Sequence, residues 1–327
     1  MKRTFIILCL VFLLGCMDSG KELKSNNQAQ QTFEYKGQTY EIHTYFEEFL
    51  TYEEKAKANP EESEQLYQKY VIDPLQAAAL EKDDNQDLLN ENWGFIPPDD
   101  PDRLKEDVQK LINRREDILK WTKESLKMSV DALPSVGKEV YILPVDMAAK
   151  GASSRYAPVG GTSGFSLTKD TMVVRVTPSF EKMSLKNLVA HEYHHLVYNE
   201  KNPPSFSDPL FPYVLAEGKA EQFAETVFPE YTCYISRPFS SKEKEKEVWD
   251  YLKKNSYETG QKFKDILTYD GSSEGFPSSS GYRISKQIMK SFLNNNPDTT
   301  IKEWTFMPAS MILERSEYKE KFEQLIN

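Results

Sequence analysis

The rhythm of hydrophobic and polar positions changes several times along the chain, and each change marks an expected element. Residues 33–42 alternate apolar and polar in the period of a strand, with Lys36-Gly37 in the middle, and suggest a hairpin. From about residue 45 to 80 the apolar positions recur at helical spacing, with breaks expected at Pro60 and Pro74. Residues 82–102 are acidic and rich in Asn and Pro, which reads as a loop. Leu104, Val108, Leu111, Ile118, Trp121, Leu126 and Val130 then keep close to a 3.6-residue period, predicting one long helix that ends before Pro134. Residues 138–145 and 172–176 are β-type runs, joined through the glycine-rich stretch Gly160-Gly161-Thr162-Ser163-Gly164-Phe165. The glycine pair is not a phosphate loop, because neither GxGxxG nor GK[ST] follows it. Ser184 is the expected N-cap of a helix over 185–199, which stops before Pro203-Pro204. Further helices are expected over 213–228, 282–293 and 309–326, with a Gly/Ser-rich loop at 271–281.

This succession of a few strands among many helices predicts an α+β fold. The two ends of the N-terminal segment add a compartment. Met1-Lys2-Arg3 precedes an apolar run from Phe5 to Leu14, too short for a permanent span and right for a secretion signal. Leu13-Leu14-Gly15-Cys16 resembles a bacterial lipobox, so residues 1–15 are the expected signal peptide and Cys16 the expected lipidated residue. Residues 16–32 then form a polar tether, 33–134 a helical N-terminal region and 135–327 the region of interest for chemistry. The expected location is extracytoplasmic, with the chain anchored to the membrane through lipid. Of three cysteines only Cys233 remains after Cys9 leaves and Cys16 is modified, so no internal disulfide is expected. A net charge of −10 and a pI near 5.2 argue against nucleic acid as a partner.

The candidate chemistry begins at His191-Glu192-Tyr193-His194-His195, which holds three of the four histidines. Residues four apart on a helix share a face, so His191 and His195 can hold one zinc from the same side, and Glu192 can reach a water there. A catalytic zinc wants a third protein ligand and an open position. Glu217, in Leu215-Ala216-Glu217-Gly218-Lys219-Ala220-Glu221, is the best candidate: the chain between has room to end one helix, turn at prolines and return antiparallel. The small neighbours Ala216, Gly218 and Ala220 are expected to let the two backbones approach. Glu221, one turn on, is placed to accept the free ring N–H of a ligand histidine. Asp208 is a looser alternative in its proline-rich loop, and His43 carries no motif. His194 reads as a packing residue, Glu225 as surface. For the developing oxyanion, Tyr282 in Gly281-Tyr282-Arg283 is the candidate, although a buried aromatic at a helix start is as good a reading.

His-Glu-x-x-His followed by Glu-Gly-x-Ala-Glu resembles the gluzincin peptidases. More closely it is similar to a bacterial family of predicted zinc-dependent proteases, which adds a later Gly-Tyr-containing helix; the likeness covers roughly residues 135–295. The metzincin pattern is not met, since Tyr198 and Lys201 stand where its Gly and His belong, and the aminopeptidase Gly-x-Met-Glu-Asn motif is absent. The resemblance implies a gluzincin-like core with Zn2+ on His191, His195 and Glu217 and Glu192 as general base, acting on a peptide or protein substrate through zinc-activated water. A segment between 160 and 178 is then expected to pair with extended substrate as an edge strand. The reading from another class is a lipoprotein that binds metal or ligand without catalysis, against which the intact Glu192 speaks.

Overall fold

The computed structural model describes residues 22–23, 29–80, 95, 97–98, 100–145, 159–205, 207–269 and 271–323. The expected signal peptide, Cys16 and most of the tether lie outside them. Among the described residues no helix is long and apolar enough to cross a membrane.

A six-stranded mixed sheet carries the α+β architecture, in the order β1-β2-β3-β4-β6-β5. β1 (Glu22–Leu23), β2 (Gln30–Tyr35) and β3 (Gln38–Thr44) are antiparallel neighbours. The β2–β3 hairpin turns on Lys36 and Gly37, both at positive φ (49° and 75°), the two-residue turn whose twist suits flanking strands. β3 then pairs parallel with β4 (Glu139–Pro144), and β4 parallel with β6 (Thr171–Val176). Covered on both faces, β4 and β6 are buried almost throughout, so their residues read as apolar runs without alternation. The sheet therefore crosses the expected boundary at residue 134, and one hydrophobic core joins Phe33 and Ile42 to Val174 and Leu196. The tether is also shorter than expected, since Gln30 to Thr32 already belong to β2.

The glycine-rich stretch is itself a strand. β5 (Thr162–Ser166) lies antiparallel beside β6 at the end of the sheet, where a loop between two strands was expected. Gly160 and Gly161, at φ 69° and 79°, turn the chain into it. A Cβ on Gly160 would sit 2.6 Å from Ser184 Cβ, and one on Gly161 2.4 Å from Thr177 Oγ1. The turn thus presses onto the first turn of the next helix, which positive-φ glycine alone accommodates.

The helices differ from expectation mainly at their ends. α1 (Glu47–Ala58), α2 (Ser63–Tyr67) and α3 (Asp73–Ala79) follow the hairpin. Pro74 does not break the pattern: it stands in the first turn of α3, where its missing N–H is harmless, after a π-turn over Gln68–Ile72. The expected single helix is two, α4 (Pro101–Ile112) and α5 (Arg115–Ala132). At the break Arg114 donates to the Pro178 and Phe180 carbonyls (2.8 and 3.2 Å) and lies over the Phe180 ring at 3.7 Å. The bend lets α4 pack on α1 while α5 packs on the central helix.

That central helix is α6 (Lys182–Asn199), flanked by the sheet, α5 and α7 (Leu210–Val227). Glu181, not Ser184, precedes it; Ser184 Oγ instead donates to the Val159 carbonyl at 2.5 Å and meets Thr162 Oγ1 at 2.6 Å. Leu185, Val189 and Leu196 are fully buried, each worth about 1.5–3 kcal/mol. Polar residues on α6 are buried as well, because neighbours surround it on all sides. α7 begins three residues earlier than expected; its first amides, Leu210 and Phe211, donate to the Glu258 and Ser256 carbonyls (2.8 and 3.1 Å). The C-terminal part supplies α8 (Lys242–Lys254), α9 (Gln261–Thr268) and α10 (Ser280–Asn295). It closes with α11 (Ile301–Phe306), then α12 (Ala309–Glu314) and α13 (Tyr318–Glu323), the last two standing where one helix over 309–326 was expected. Buried Lys219 of α7 anchors this end by donating to the Thr305 and Met307 carbonyls (3.0 and 2.8 Å).

Candidate metal centre

α6 and α7 bring three donor atoms to one point. His191 Nε2 and His195 Nε2 are 3.1 Å apart, and each lies 3.3 Å from Glu217 Oε2. Ligands about 2.0–2.1 Å from a tetrahedral ion stand roughly 3.3–3.4 Å from one another, so this triangle fits one face of a zinc site. Two imidazoles and one carboxylate are also the donor set of several catalytic zinc centres. Among the described residues this is the one His/Cys/Asp/Glu group able to hold a metal ion. His43 is instead stacked on Tyr141 (4.6 Å between centroids), and Asp208 accepts from the Ser205 amide in its loop.

The electrostatics of the centre are tightly coupled. Burial pushes the His191 imidazolium down, but hydrogen bonds to Glu217 and Glu221 outweigh it and hold its pKa well above the ordinary value. For Glu217, burial works upwards and the two histidines overcome it, holding the carboxyl well below the usual range. Glu221 Oε1 lies 3.0 Å from His191 Nδ1, at the ring nitrogen that does not face Glu217. A carboxylate there fixes Nδ1–H and leaves Nε2 as the metal-facing lone pair.

Glu192 is 4 % exposed, and its burial raises its carboxyl pKa against the pull of His191 and His195. The edge strand runs directly over it. A Cβ on Gly164 would stand 3.1 Å from Glu192 Cγ and 3.2 Å from Oε1, so only glycine lets the β5 backbone come this close without displacing the carboxylate. Phe165, the next residue, pairs with Val173 of β6.

α10 forms the opposite side. The Tyr282 ring lies 6.2 Å from that of His191, tilted by 32°, and is partly buried; burial and the Glu217 charge raise its hydroxyl pKa well above the ordinary value. Its approach depends on Gly218, where a Cβ would fall 2.5 Å from Ser285 Cβ. Gly218 was expected to bring α7 against α6; it brings α7 against α10. Tyr213, one turn before Glu217 on α7, is likewise pushed up by burial and by Glu217. Its spacing from Glu217 could have revealed it. His194 points away, stacked on Trp304 (5.5 Å) with Nε2 3.2 Å from Thr305 Oγ1. Glu225 is not free surface: it pairs with buried Lys286 at 3.3 Å. Lys286 itself escaped the sequence reading, although a lysine four residues after Tyr282 on an otherwise apolar helix face was a usable signal.

His191, His195 and Glu217, with Glu192 beside them, form a group that could hold a metal ion. Residues 118–314, more than half of the chain, match the model of the family described as predicted Zn-dependent protease (DUF2268), and the chain belongs to that family. No curated protein and no solved structure matches the chain.

Proposed function

We propose that the protein is a zinc-dependent peptide hydrolase with Glu192 as its general base. The observation that carries this reading is the donor triangle of His191, His195 and Glu217 with the Glu192 carboxylate beside it and a strand edge above. A zinc held by the three donors supplies Lewis acidity, polarising a carbonyl and acidifying water. The remaining work falls to the chain. Glu192, whose burial makes it a stronger base than an exposed glutamate, takes the proton from the attacking water and returns it to the leaving amine. Tyr282 faces the developing oxyanion and donates to it from a hydroxyl that stays protonated. Among the described residues β5 is paired only with β6, so its other side accepts an extended peptide by strand addition. We further propose a lipid on Cys16 and an extracytoplasmic position, which rest on the sequence of residues 1–16.

The test is metal analysis and peptide-library hydrolysis on the purified protein and its Glu192→Gln variant. The expected result is stoichiometric zinc in both, with hydrolysis in the parent and a loss of about 10²–10⁴-fold in the variant. A parent that holds zinc and cleaves nothing would leave a non-catalytic metal-binding lipoprotein. A parent without zinc would remove both readings.

A further inference from the structure

We propose that Lys286 is a positioning residue for the metal centre, holding His191 in its ligating orientation through Ser236 and Glu221. This deepens the zinc reading and rests on it.

The side chain of Lys286 is 2 % exposed and comes from α10, which supplies none of the three donors. Its Nζ donates to Ser236 Oγ at 3.1 Å and lies 3.3 Å from Glu225 Oε2. Ser236 is 1 % exposed and its hydroxyl donates to the Cys233 carbonyl at 3.1 Å, while Ser236 and the charge of Lys286 both help to hold the neighbouring Glu221 carboxyl below its usual range. Glu221, 4 % exposed, reaches His191 Nδ1 at 3.0 Å. Buried polar groups thus lie in succession from an ammonium on one helix to a ligand ring on another.

A simple structural ion pair between Lys286 and Glu225 does not account for this geometry. The ammonium meets the buried Glu225 Oε2 at 3.3 Å without a hydrogen bond, whereas Ser236 Oγ accepts one from it at 3.1 Å, so the ion pair leaves the contact to Ser236 unexplained. Burial strengthens every interaction of this ammonium, including its pull on the Glu221 carboxyl. The turn carrying Ser236 (Tyr234–Ser236) is moreover held from α10 at a second point, by Arg283 donating to the Arg237 carbonyl at 2.9 Å. α10 therefore holds this turn at two points, and Glu221 cannot swing away from His191 without leaving the charge of Lys286. An outer partner of this kind fixes the tautomer and the ring orientation of a ligand histidine.

The experiment measures zinc dissociation constants of the full chain by competition with a chromophoric chelator, with cobalt(II) absorption spectra of the same proteins. The variants are Glu221→Gln, Ser236→Ala, Lys286→Met and the doubles with Glu221→Gln. Glu221→Gln and Lys286→Met are each expected to weaken zinc by about 10–100-fold, and Ser236→Ala by about tenfold. Each double should be little weaker than Glu221→Gln alone, and the single variants should alter the cobalt spectrum. If Lys286→Met does not fold, Ser236→Ala and its double decide. Parent-like affinity in the folded Lys286→Met or Ser236→Ala protein, or fully additive losses in the doubles, would overturn the inference while leaving the zinc reading intact. A parent that binds no zinc would instead remove the zinc reading itself.

Discussion

The two walls of the candidate site are built from different materials. On the sheet side, β5 presents backbone: a glycine over Glu192 and a strand edge with no charged side chain between Thr162 and Ser166. On the helix side, α7 and α10 present Glu217, Glu221, Tyr213, Tyr282 and Lys286, each buried or partly buried and tied to a named partner. A backbone wall is specified by geometry. A side-chain wall fixes charge and position and is specified by residue identity. Substitutions should therefore fail differently on the two sides.

The largest effect belongs to the helix wall. Glu217→Ala removes one donor of the triangle, and the protein is expected to lose stoichiometric zinc and all hydrolysis; zinc retained at one per chain would remove Glu217 from the donor set. Next, Gly218→Ala drives a methyl to within 2.5 Å of Ser285 Cβ, so the α7–α10 crossing must open. A loss of about 1–3 kcal/mol in denaturant unfolding is expected, and an unchanged midpoint would contradict the tight crossing. On the sheet wall, Gly164→Ala should spare stability and zinc, because the contacts of 3.0–3.2 Å can be relieved by small shifts. Those shifts fall on the Val173 carbonyl of β6 and on Glu192, and kcat is expected to drop on the order of tenfold. A variant with reduced zinc content and parent-like kcat per bound zinc would reverse that assignment.

The smallest effect is a pH dependence. Burial, followed by the charges of His195 and Lys219, holds the His194 imidazole well below its ordinary 6.5. Below that pH the unfolded chain binds a proton that the folded protein refuses, so stability falls as pH drops, by at most about 1.4 kcal/mol per unit. His191 acts in the opposite sense, since its raised pKa adds stability on the acid side that is lost as pH rises. The measurement is therefore a difference. In the presence of chelator, the parent should lose more stability than His194→Phe between pH 7.5 and 5, and parallel curves would place the proton elsewhere.

The same division explains what could be read in advance. His191, Glu192, His195, Glu217 and Glu221 were legible because their chemistry demands particular residue types at helical spacings. Gly164 and Gly218 were visible only as small residues, and their partners, Glu192 Cγ and Ser285, depend on tertiary approach that no local pattern encodes. β4 and β6 were legible as apolar runs, whereas β5 was hidden: Thr-Ser-Gly-Phe-Ser has weak strand propensity and forms because β6 offers it an edge. The break at Asn113–Arg114 was hidden for a related reason, since the apolar period continues across it and the Arg114 contacts to Pro178 and Phe180 lie far away in sequence. Lys286 could have been noticed, but a lone lysine on a helix is ordinarily solvated.

The parallel pairing of β3 with β4 sets an order of assembly. As the chain emerges N-terminus first, the β2–β3 hairpin can close at once, yet the outer edge of β3 has no partner until Glu139–Pro144 arrives. Until then Glu41 to Thr44 offer unpaired amides and carbonyls to any other strand, a known route to aggregation. A fragment cut at residue 118, where the family match begins, would meet the converse problem: it starts inside α5 and leaves β4 bare on the side that β3 covers. Expression boundaries therefore belong before Glu22, upstream of β1 and the hairpin it pairs with.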